Sequence, residues 1–529
     1  MFLIMSAAYV GQEIQSEFGK IPPSFLPLGN RRLFQHQVRL APEGVAVYLS
    51  VPELYKVSRT DMKWLENEGV SIIRTPENLT LGASLVAALN LTEHSLDSNL
   101  QVLFGDTLFT QLPAGEDIVC VSQQKDSYNW AVVTSDDMKW LQNQDNCENT
   151  PPSVIVNGYF NFRSPKLLIK SITQSNWKFI EGLNKYHSKS KLKSILSDKW
   201  LDFGHVNTYY RSKADFTTQR AFNTLKITSD WIEKSSNKKE KIEAEANWFS
   251  CIPPSLRGYI PQYLGSKNEH GKVSYRLEYL HQTALNELYV FSELPVSVWD
   301  QILNCTIEFI KSCLKESAPE NYSKNSLIEL FGKKTYSRLD EFCSTNNITT
   351  SDEWLFNDEQ AISLETVIEY SNRYLPVNDG EWPITVLHGD FCFSNILYDF
   401  RANRIKTIDP RGMTYDGEME IYGDVRYDLA KLSHSIVGLY DWIIAGYFEV
   451  EITSGKIHFK IESPEGLEII QKRFMDLVSE NFNITSKSLM AMQIQLFLSM
   501  LPLHSDDLTR QRALFANAFR IYHLMKEMK

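Results

Sequence analysis

Several things are scarce in these 529 residues, and each scarcity narrows the field. No run reaches the roughly 20 apolar residues that a bilayer-crossing helix needs, so membrane insertion is not expected. The seven cysteines are odd in number and show no CxxC pair, which gives no zinc signature and fits a reducing compartment. Basic excess is missing too: 54 Lys+Arg stand against 65 Asp+Glu, a net charge of −11. Nonspecific attraction to nucleic acid or an anionic surface is therefore not expected, although small anions can still meet local basic sites. The opening MFLIMSAAYV lacks a basic flank and a long apolar centre, and reads as a buried first strand rather than a leader. Internal repeats and long low-complexity linkers are also lacking. A cytoplasmic location is the expectation. What remains is an ordinary folding composition, 43% hydrophobic and 22% charged, in a chain long enough for two or three domains with separate cores.

The richest segment is VLHGDFCFSNILYDFRANRIKTIDPRG, Val386 to Gly412. Here ITVL reads as a short strand, NILY as a second, DFRANR as a polar turn and IKTI as a third. His388, Asp390, Asn395 and Asp409 then sit at strand ends on a common edge. Asp and Asn favour turns in any case, so one such residue would mean little. Two carboxylates and an amide at this spacing can hold a divalent metal and orient a hydroxyl, which phosphoryl transfer requires. The segment resembles the HGDxxxxN loop and following Asp of the aminoglycoside phosphotransferase and choline kinase family. GDVRYDLAKL, Gly423 to Leu432, resembles the family's next segment. The resemblance implies Asp390 as catalytic base, Asn395 and Asp409 as magnesium ligands, His388 as an organiser of the loop, and ATP as donor.

A kinase of this kind needs an upstream lysine for the nucleotide phosphates and a helical carboxylate to hold it. RAFNTLKITSDWIEKSSNKKEKIEAEANWF supplies two alternating strands, FNTLKI and DWIEKS, and then a helix, EKIEAEANWF. By resemblance Lys234 contacts the phosphates and Glu245 is its partner, with Glu243 the competing choice. The plainer reading makes Lys234 the start of a solvated basic run. YRLEYL resembles the strand between the lobes, and Ser297 to Leu314 and Leu364 to Leu375 read as helices of the larger lobe. The expected kinase-like domain is 216–529, a bilobal α+β fold.

Residues 1–215 alternate strands and helices: MFLIMSAA, VAVYLSV, VSIIRT, LGASLVAALN, QVLFGDTLF, DIVCVSQ. Such alternation predicts an α/β, Rossmann-like parallel sheet with ligands at the carboxyl ends of its strands. Asp106 falls at one such end and Asp202 lies in the aromatic DKWLDFGHVNTYY. Together they resemble the two magnesium-binding Asp residues of sugar-1-phosphate nucleotidylyltransferases. Gly82 in TLGASLVAAL resembles that family's glycine beside the nucleobase, and NGYFNF, Asn157 to Phe162, its sugar-site strand. The family's Gly-rich AAGxGTR loop and PKxLxP segment are replaced by AAYVGQE and PPSFLP, so Glu13 stands where an Arg belongs and Pro23 where a Lys belongs. Lys20, or the Arg31 and Arg32 pair, are the cations left to substitute.

The two resemblances imply consecutive steps: a kinase phosphorylates a small molecule, and a nucleotidylyltransferase couples it to a nucleotide. The expected product is an activated precursor, a sugar or polyol phosphate derivative, for surface polysaccharide. Choline, ethanolamine or an amino acid stays open as acceptor, as do a second NTP and homo-oligomer formation. The alternative makes the first domain a nonreacting sensor or scaffold, which Glu13 and Pro23 favour. A kinase acting on protein is a further rival, against which stands the lack of an evident activation segment.

Overall fold

The computed structural model describes residues 1–123, 128, 130–134, 139–143, 154–220, 225–236, 238–269, 272–319, 327, 329–376, 382–462 and 464–528. Phe222, Asn223 and Thr224 of the expected FNTLKI strand, and Asn237 of the basic run, lie outside them. The chain forms two compact units, Met1–Lys213 with Phe291–Glu293, and Ala214–Val290 with Leu294–Lys529. Among the described residues no helix is long and apolar enough to cross a membrane.

The first unit is built on a mixed sheet. Its strands are β1 (Phe2–Met5), β2 (Val47–Pro52), β3 (Val70–Thr75), β4 (Leu100–Phe104), β5 (Thr107–Phe109), β6 (Ile118–Gln123), β7 (Ala131–Val133), β8 (Leu141–Asn143), β9 (Val154–Phe162), β10 (Lys193–Leu196) and β11 (Trp200–Asp202). The sheet order is β10-β6-β9-β4-β1-β2-β3, with β7 and β8 as a side hairpin on β9. Strand β1 is buried at every position because it lies between parallel neighbours, β2 and β4, with covered faces. The helices Leu81–Leu91, Pro165–Thr173 and Phe179–Ser190 contribute Leu85, Leu89, Leu168, Ile172 and Leu183 to the same core as Leu3, Val102 and Phe160. Their starts are written locally. Thr80 and Ser164 accept amide hydrogens from Ala83 and Leu167, caps worth about 1 kcal/mol each, and Pro165 occupies the first helical turn.

The sheet differs from the expected all-parallel pattern in one respect: β9 runs antiparallel to both β4 and β6. Its nine residues are almost wholly buried, with even Asn157 and Asn161 enclosed, so burial on both faces gave the pattern no signature of direction. QVLFGDTLF is likewise two strands, β4 and β5, broken at Gly105 and Asp106. The second half leaves the main sheet to pair with β11. That break brings Asp106 and Asp202 together.

The second unit begins with an antiparallel sheet of β12 (Leu225–Ile227), β13 (Trp231–Ser235), β14 (Tyr263–Glu269) and β15 (Lys272–Glu278), in the order β12-β13-β15-β14. The helix Lys239–Cys251 packs on it through Glu245 and Phe249, while its Trp248 Nε1 donates to the Leu387 carbonyl at 2.8 Å. The rest is mainly helical around Ser486–Met500, whose buried residues run from Leu489 to Ser499 without a polar stripe, as a helix enclosed on all sides requires. Helix Leu508–Glu527 packs along it; Asn517 Nδ2 donates to the Gly438 carbonyl and Arg520 to that of Val437, at the end of helix Arg426–Ile436. The segment with His388 forms the expected strands: Thr385–Val386 pairs with Tyr422–Gly423, and Ile396–Asp399 with Arg404–Thr407. Asp399 closes the intervening turn by accepting the amides of Arg401 and Ala402.

Candidate active site

In the second unit the loop after Thr385–Val386 is fixed before any ligand is considered. The His388 ring is fully buried; Nε2 lies 3.0 Å from the Ile408 carbonyl and Nδ1 accepts the Asp390 amide. Burial pushes the imidazole down to about 4, so it is neutral at pH 7 and serves as a rigid acceptor. Gly389 has φ of +78°, and a Cβ there would meet Arg411 Cβ at 2.7 Å, so a side chain is barred twice. The amides of His388 and Gly389 both donate to Asp428, each at 2.8 Å. Burial pushes the Asp428 carboxyl up to about 7 against the pull of those amides. Asp428→Ala is expected to leave two buried donors unpaired and to lower the unfolding free energy of this unit by about 2 to 4 kcal/mol in denaturant titrations. Asp428→Asn should cost less, because one amide keeps an acceptor.

This scaffold presents Asp390. Asn395 Nδ2 donates to the Asp390 carbonyl at 2.9 Å and to Oδ2 at 3.0 Å, and Lys431 Nζ lies 2.7 Å from Oδ1. Burial alone would raise the Asp390 carboxyl, but the Lys431 ammonium outweighs it and holds the group below the usual carboxylate range. Asp409 sits in the left-handed region, φ +55°, which Asp tolerates better than most side chains. Lys234 on β13 places Nζ 2.9 Å from Glu245 Oε2 and 2.9 Å from Asp409 Oδ1. Glu245 is 1% exposed and also accepts the Tyr275 hydroxyl at 2.8 Å. Burial would lower the Lys234 ammonium, and the carboxylates of Asp409 and Glu245 raise it instead. Glu243, the competing choice, pairs with Lys239 one turn earlier at 3.4 Å. The structure thus joins Lys234, Glu245 and Asp409 in one cluster and Asp390, Asn395 and Lys431 in another. Asp409 from the first, and Asp390, Asn395 and Lys431 from the second, line one cavity of about 840 Å³.

Among the described residues no three His, Cys, Asp or Glu side chains are grouped to enclose a metal. The donors present suit magnesium, which takes one or two protein oxygens and completes its shell with water and phosphate. With its amide nitrogen turned to Asp390, Asn395 has Oδ1 to offer, and Asp409 offers a half-exposed carboxylate. Lys234→Met is expected to raise KM for Mg·ATP by ~10- to 100-fold, the loss of a charged contact to phosphate, in an ADP-release assay.

Lys431 and Asp428, both within GDVRYDLAKL, carry no motif of their own in the sequence. Their signal was burial: every position from Arg426 to Leu432 except Lys431 is buried, and charged residues on such a helix face are rare unless paired.

In the first unit, Asp106 follows β4 and Asp202 ends β11, which pairs Asp202 with Thr107. A Cβ on Gly204 would lie 2.9 Å from Asp106 Oδ2 and 3.3 Å from Asp202 Oδ1, so both carboxylates reach one point. The Gly204 amide donates to Asp202 Oδ1 at 3.1 Å. Burial raises the Asp106 carboxyl above its usual range. Two acids so placed favour a shared cation over mutual ionisation, and their hard oxygens again suit magnesium. Beside them His205 stacks on Tyr128 at 3.8 Å, with Trp130 edge-on.

The other expected residues are placed less favourably. Gly82 is buried in its helix, where a Cβ would come within 2.3 Å of the Trp177 carbonyl and 3.0 Å of Ile172. Packing by itself accounts for that glycine. Arg32 is buried and tied to Asp61 at 3.3 Å and to the Phe25 carbonyl at 2.8 Å, so it is not a cation left over for a triphosphate. Glu13 is exposed in the first turn of a short helix and Pro23 opens a 3₁₀ turn. Lys20 Nζ lies over the Tyr9 ring at 4.1 Å.

Neither protein-family models nor curated proteins match the chain. Among solved structures, a nucleoside-diphosphate-sugar pyrophosphorylase from Vibrio cholerae RC9 is 14% identical, covering 40% of this chain and 99% of that one with a TM-score of 0.33. The inositol-1-phosphate CTP transferase from T. maritima is 17% identical over 41% of this chain and 96% of that one, TM-score 0.31. A glucosamine kinase is 12% identical over 57% of this chain and 75% of that one, TM-score 0.38. The chain is similar to sugar-1-phosphate nucleotidyltransferases in its N-terminal part and to glucosamine and aminoglycoside kinases in the remainder.

Proposed function

We propose that the second unit is an ATP-dependent small-molecule kinase and that the first is a metal-dependent nucleotide site working on its product. The observation that carries the kinase reading is the bridge from Lys234 to both Glu245 and Asp409, beside an Asp390 oriented by Asn395. In this reading Lys234 steadies the phosphates and Glu245 steadies Lys234. Asp390 takes the proton of the acceptor hydroxyl. As it does so the acceptor oxygen bonds to the γ-phosphorus, the bond from that phosphorus to the β,γ-bridging oxygen breaks, and ADP leaves. Asn395 and Asp409 would hold magnesium, which neutralises phosphate charge when bound. His388 and Asp428 fix the loop and take no part in proton transfer.

For the first unit, the convergence of Asp106 and Asp202 supports nucleotidyl transfer to the phosphorylated product, the activated precursor being a surface polysaccharide building block. Glu13, Pro23 and the commitment of Arg32 to Asp61 favour the second reading, a sensor or scaffold without turnover. A mass-resolved screen of metabolites with ATP and each other NTP tests both, scored separately for phosphorylated and nucleotidylated products. No acceptor-dependent ADP with any candidate would overturn the kinase reading; phosphorylated product with no nucleotidylated product would leave the sensor.

A further inference from the structure

The wall of the kinase cavity beside Asp390 carries charge of one sign. Lys334 and Arg338 come from helix Lys334–Asn346, Lys431 from helix Arg426–Ile436, and Arg411 from the loop after Asp409. Only Lys431 is neutralised, by Asp390. Arg338 donates to the Ser499 carbonyl at 2.9 Å, and among the described residues neither Lys334, Arg338 nor Arg411 has a carboxylate within 4.0 Å. Lys334 is held below the usual range, chiefly by burial and then by Arg411, Lys431 and Arg338, with the Tyr427 phenol pulling the other way. Burial would push Tyr427 up, yet Lys334, Lys431 and Arg411 outweigh it. Lys234, by contrast, is paired with Glu245 and Asp409, the carboxylates of the cluster assigned to the nucleotide phosphates.

Packing unneutralised cations into a partly enclosed cavity costs free energy that an anionic guest recovers. An ammonium-bearing acceptor would add to the repulsion, and a neutral polyol would leave it unrelieved. We infer that the phosphoryl acceptor carries a negative charge of its own, a carboxylate or a phosphate seated against Lys334, Arg338 and Arg411 while its hydroxyl faces Asp390. This rests on the kinase reading of the second unit. It narrows that reading to hydroxylated acids and phosphorylated polyols or sugars, and excludes choline and amino sugars. The transfer itself is unchanged: the hydroxyl proton goes to Asp390, the γ-phosphoryl to oxygen, and ADP departs.

Two measurements on the full-length protein test it. In calorimetric titrations with ADP and magnesium present, glucuronate and glucose 6-phosphate are expected to bind, and glucose, glucosamine and choline to bind at least ~10-fold more weakly. The better of the two anions tells carboxylate from phosphate. In the metabolite screen, every acceptor that yields ADP should be anionic, and Lys334→Met or Arg338→Gln should raise its KM by ~10- to 100-fold, with kcat and the KM for ATP changed less than about threefold. Lys334→Arg, which keeps the charge, should retain most of the affinity even where Lys334→Met folds poorly. A neutral or cationic acceptor phosphorylated more efficiently than any anion would overturn the inference and leave the kinase standing, as would variants whose KM rises for ATP instead. No binding of either anion at about 10 mM would also overturn it. Absence of acceptor-dependent ADP would remove the kinase reading and this inference with it.

Discussion

Asp390→Asn should lower phosphoryl-transfer turnover by ~10²- to 10⁴-fold, the span lost when a positioned base is removed. The amide keeps the shape and one acceptor oxygen, so the Asn395 contact can persist while proton acceptance is lost. Nucleotide affinity should largely survive, because Lys234, Glu245 and Asp409 form a separate cluster. Single-turnover ADP formation and nucleotide titration on the same preparation give the two readings. Unchanged turnover would remove Asp390 from the mechanism. Lost turnover with lost nucleotide binding would mark the substitution as a disruption of the loop, since Lys431 would then have no carboxylate at 2.7 Å.

The second large effect is expected in the first unit. Asp106→Asn and Asp202→Asn each remove one of two carboxylates that meet beside Gly204. If they share a magnesium ion, either change should weaken metal-dependent nucleotide binding there, and any nucleotidylated product should fall by ~10²- to 10³-fold, the scale of losing charge stabilisation by a metal. Phosphorylated acceptor should accumulate, because Asn395 and Asp409 belong to the other unit. Fluorescence titration of each NTP with and without magnesium reads the binding, and mass spectrometry the products. Two variants that titrate like the parent would sink the shared metal site. A parent that releases pyrophosphate with its phosphorylated acceptor would sink the sensor.

How much of this could be read beforehand follows from which forces are local. The strands around His388 and the turn at Asp399 were legible because alternation and turn chemistry act over a few residues. The order of strand, lysine and helical acid was legible too, but Glu243 and Glu245 differ only in which side of one helix they occupy, and the fold decides that. The direction of β9 was hidden by its uniform burial. Arg32 looked like a spare cation until packing gave it Asp61, and at Gly82 the fold adds a packing demand from the Trp177 carbonyl that sequence does not reveal. The cationic wall was least visible of all. Lys334, Arg411 and Lys431 are spread over nearly a hundred residues of sequence, and only tertiary packing brings them to Asp390.

The two contacts from helix Leu508–Glu527 to the carbonyls of Val437 and Gly438 matter while the chain is being synthesised. Helix Arg426–Ile436, which those carbonyls follow, carries Asp428 and Lys431. A growing polypeptide that has left the ribosome only as far as residue 507 holds all the residues assigned to phosphoryl transfer but lacks the element that secures this helix. The enclosed Ser486–Met500 helix would present apolar surface to water at that stage and invite association between neighbouring nascent chains. The sheet of the first unit, all of whose strands precede residue 213, can form while the second unit is still being translated, with Phe291–Glu293 joining it later. During synthesis, then, the sheet of the leading unit would be complete before helix Arg426–Ile436 acquires the contacts that secure it.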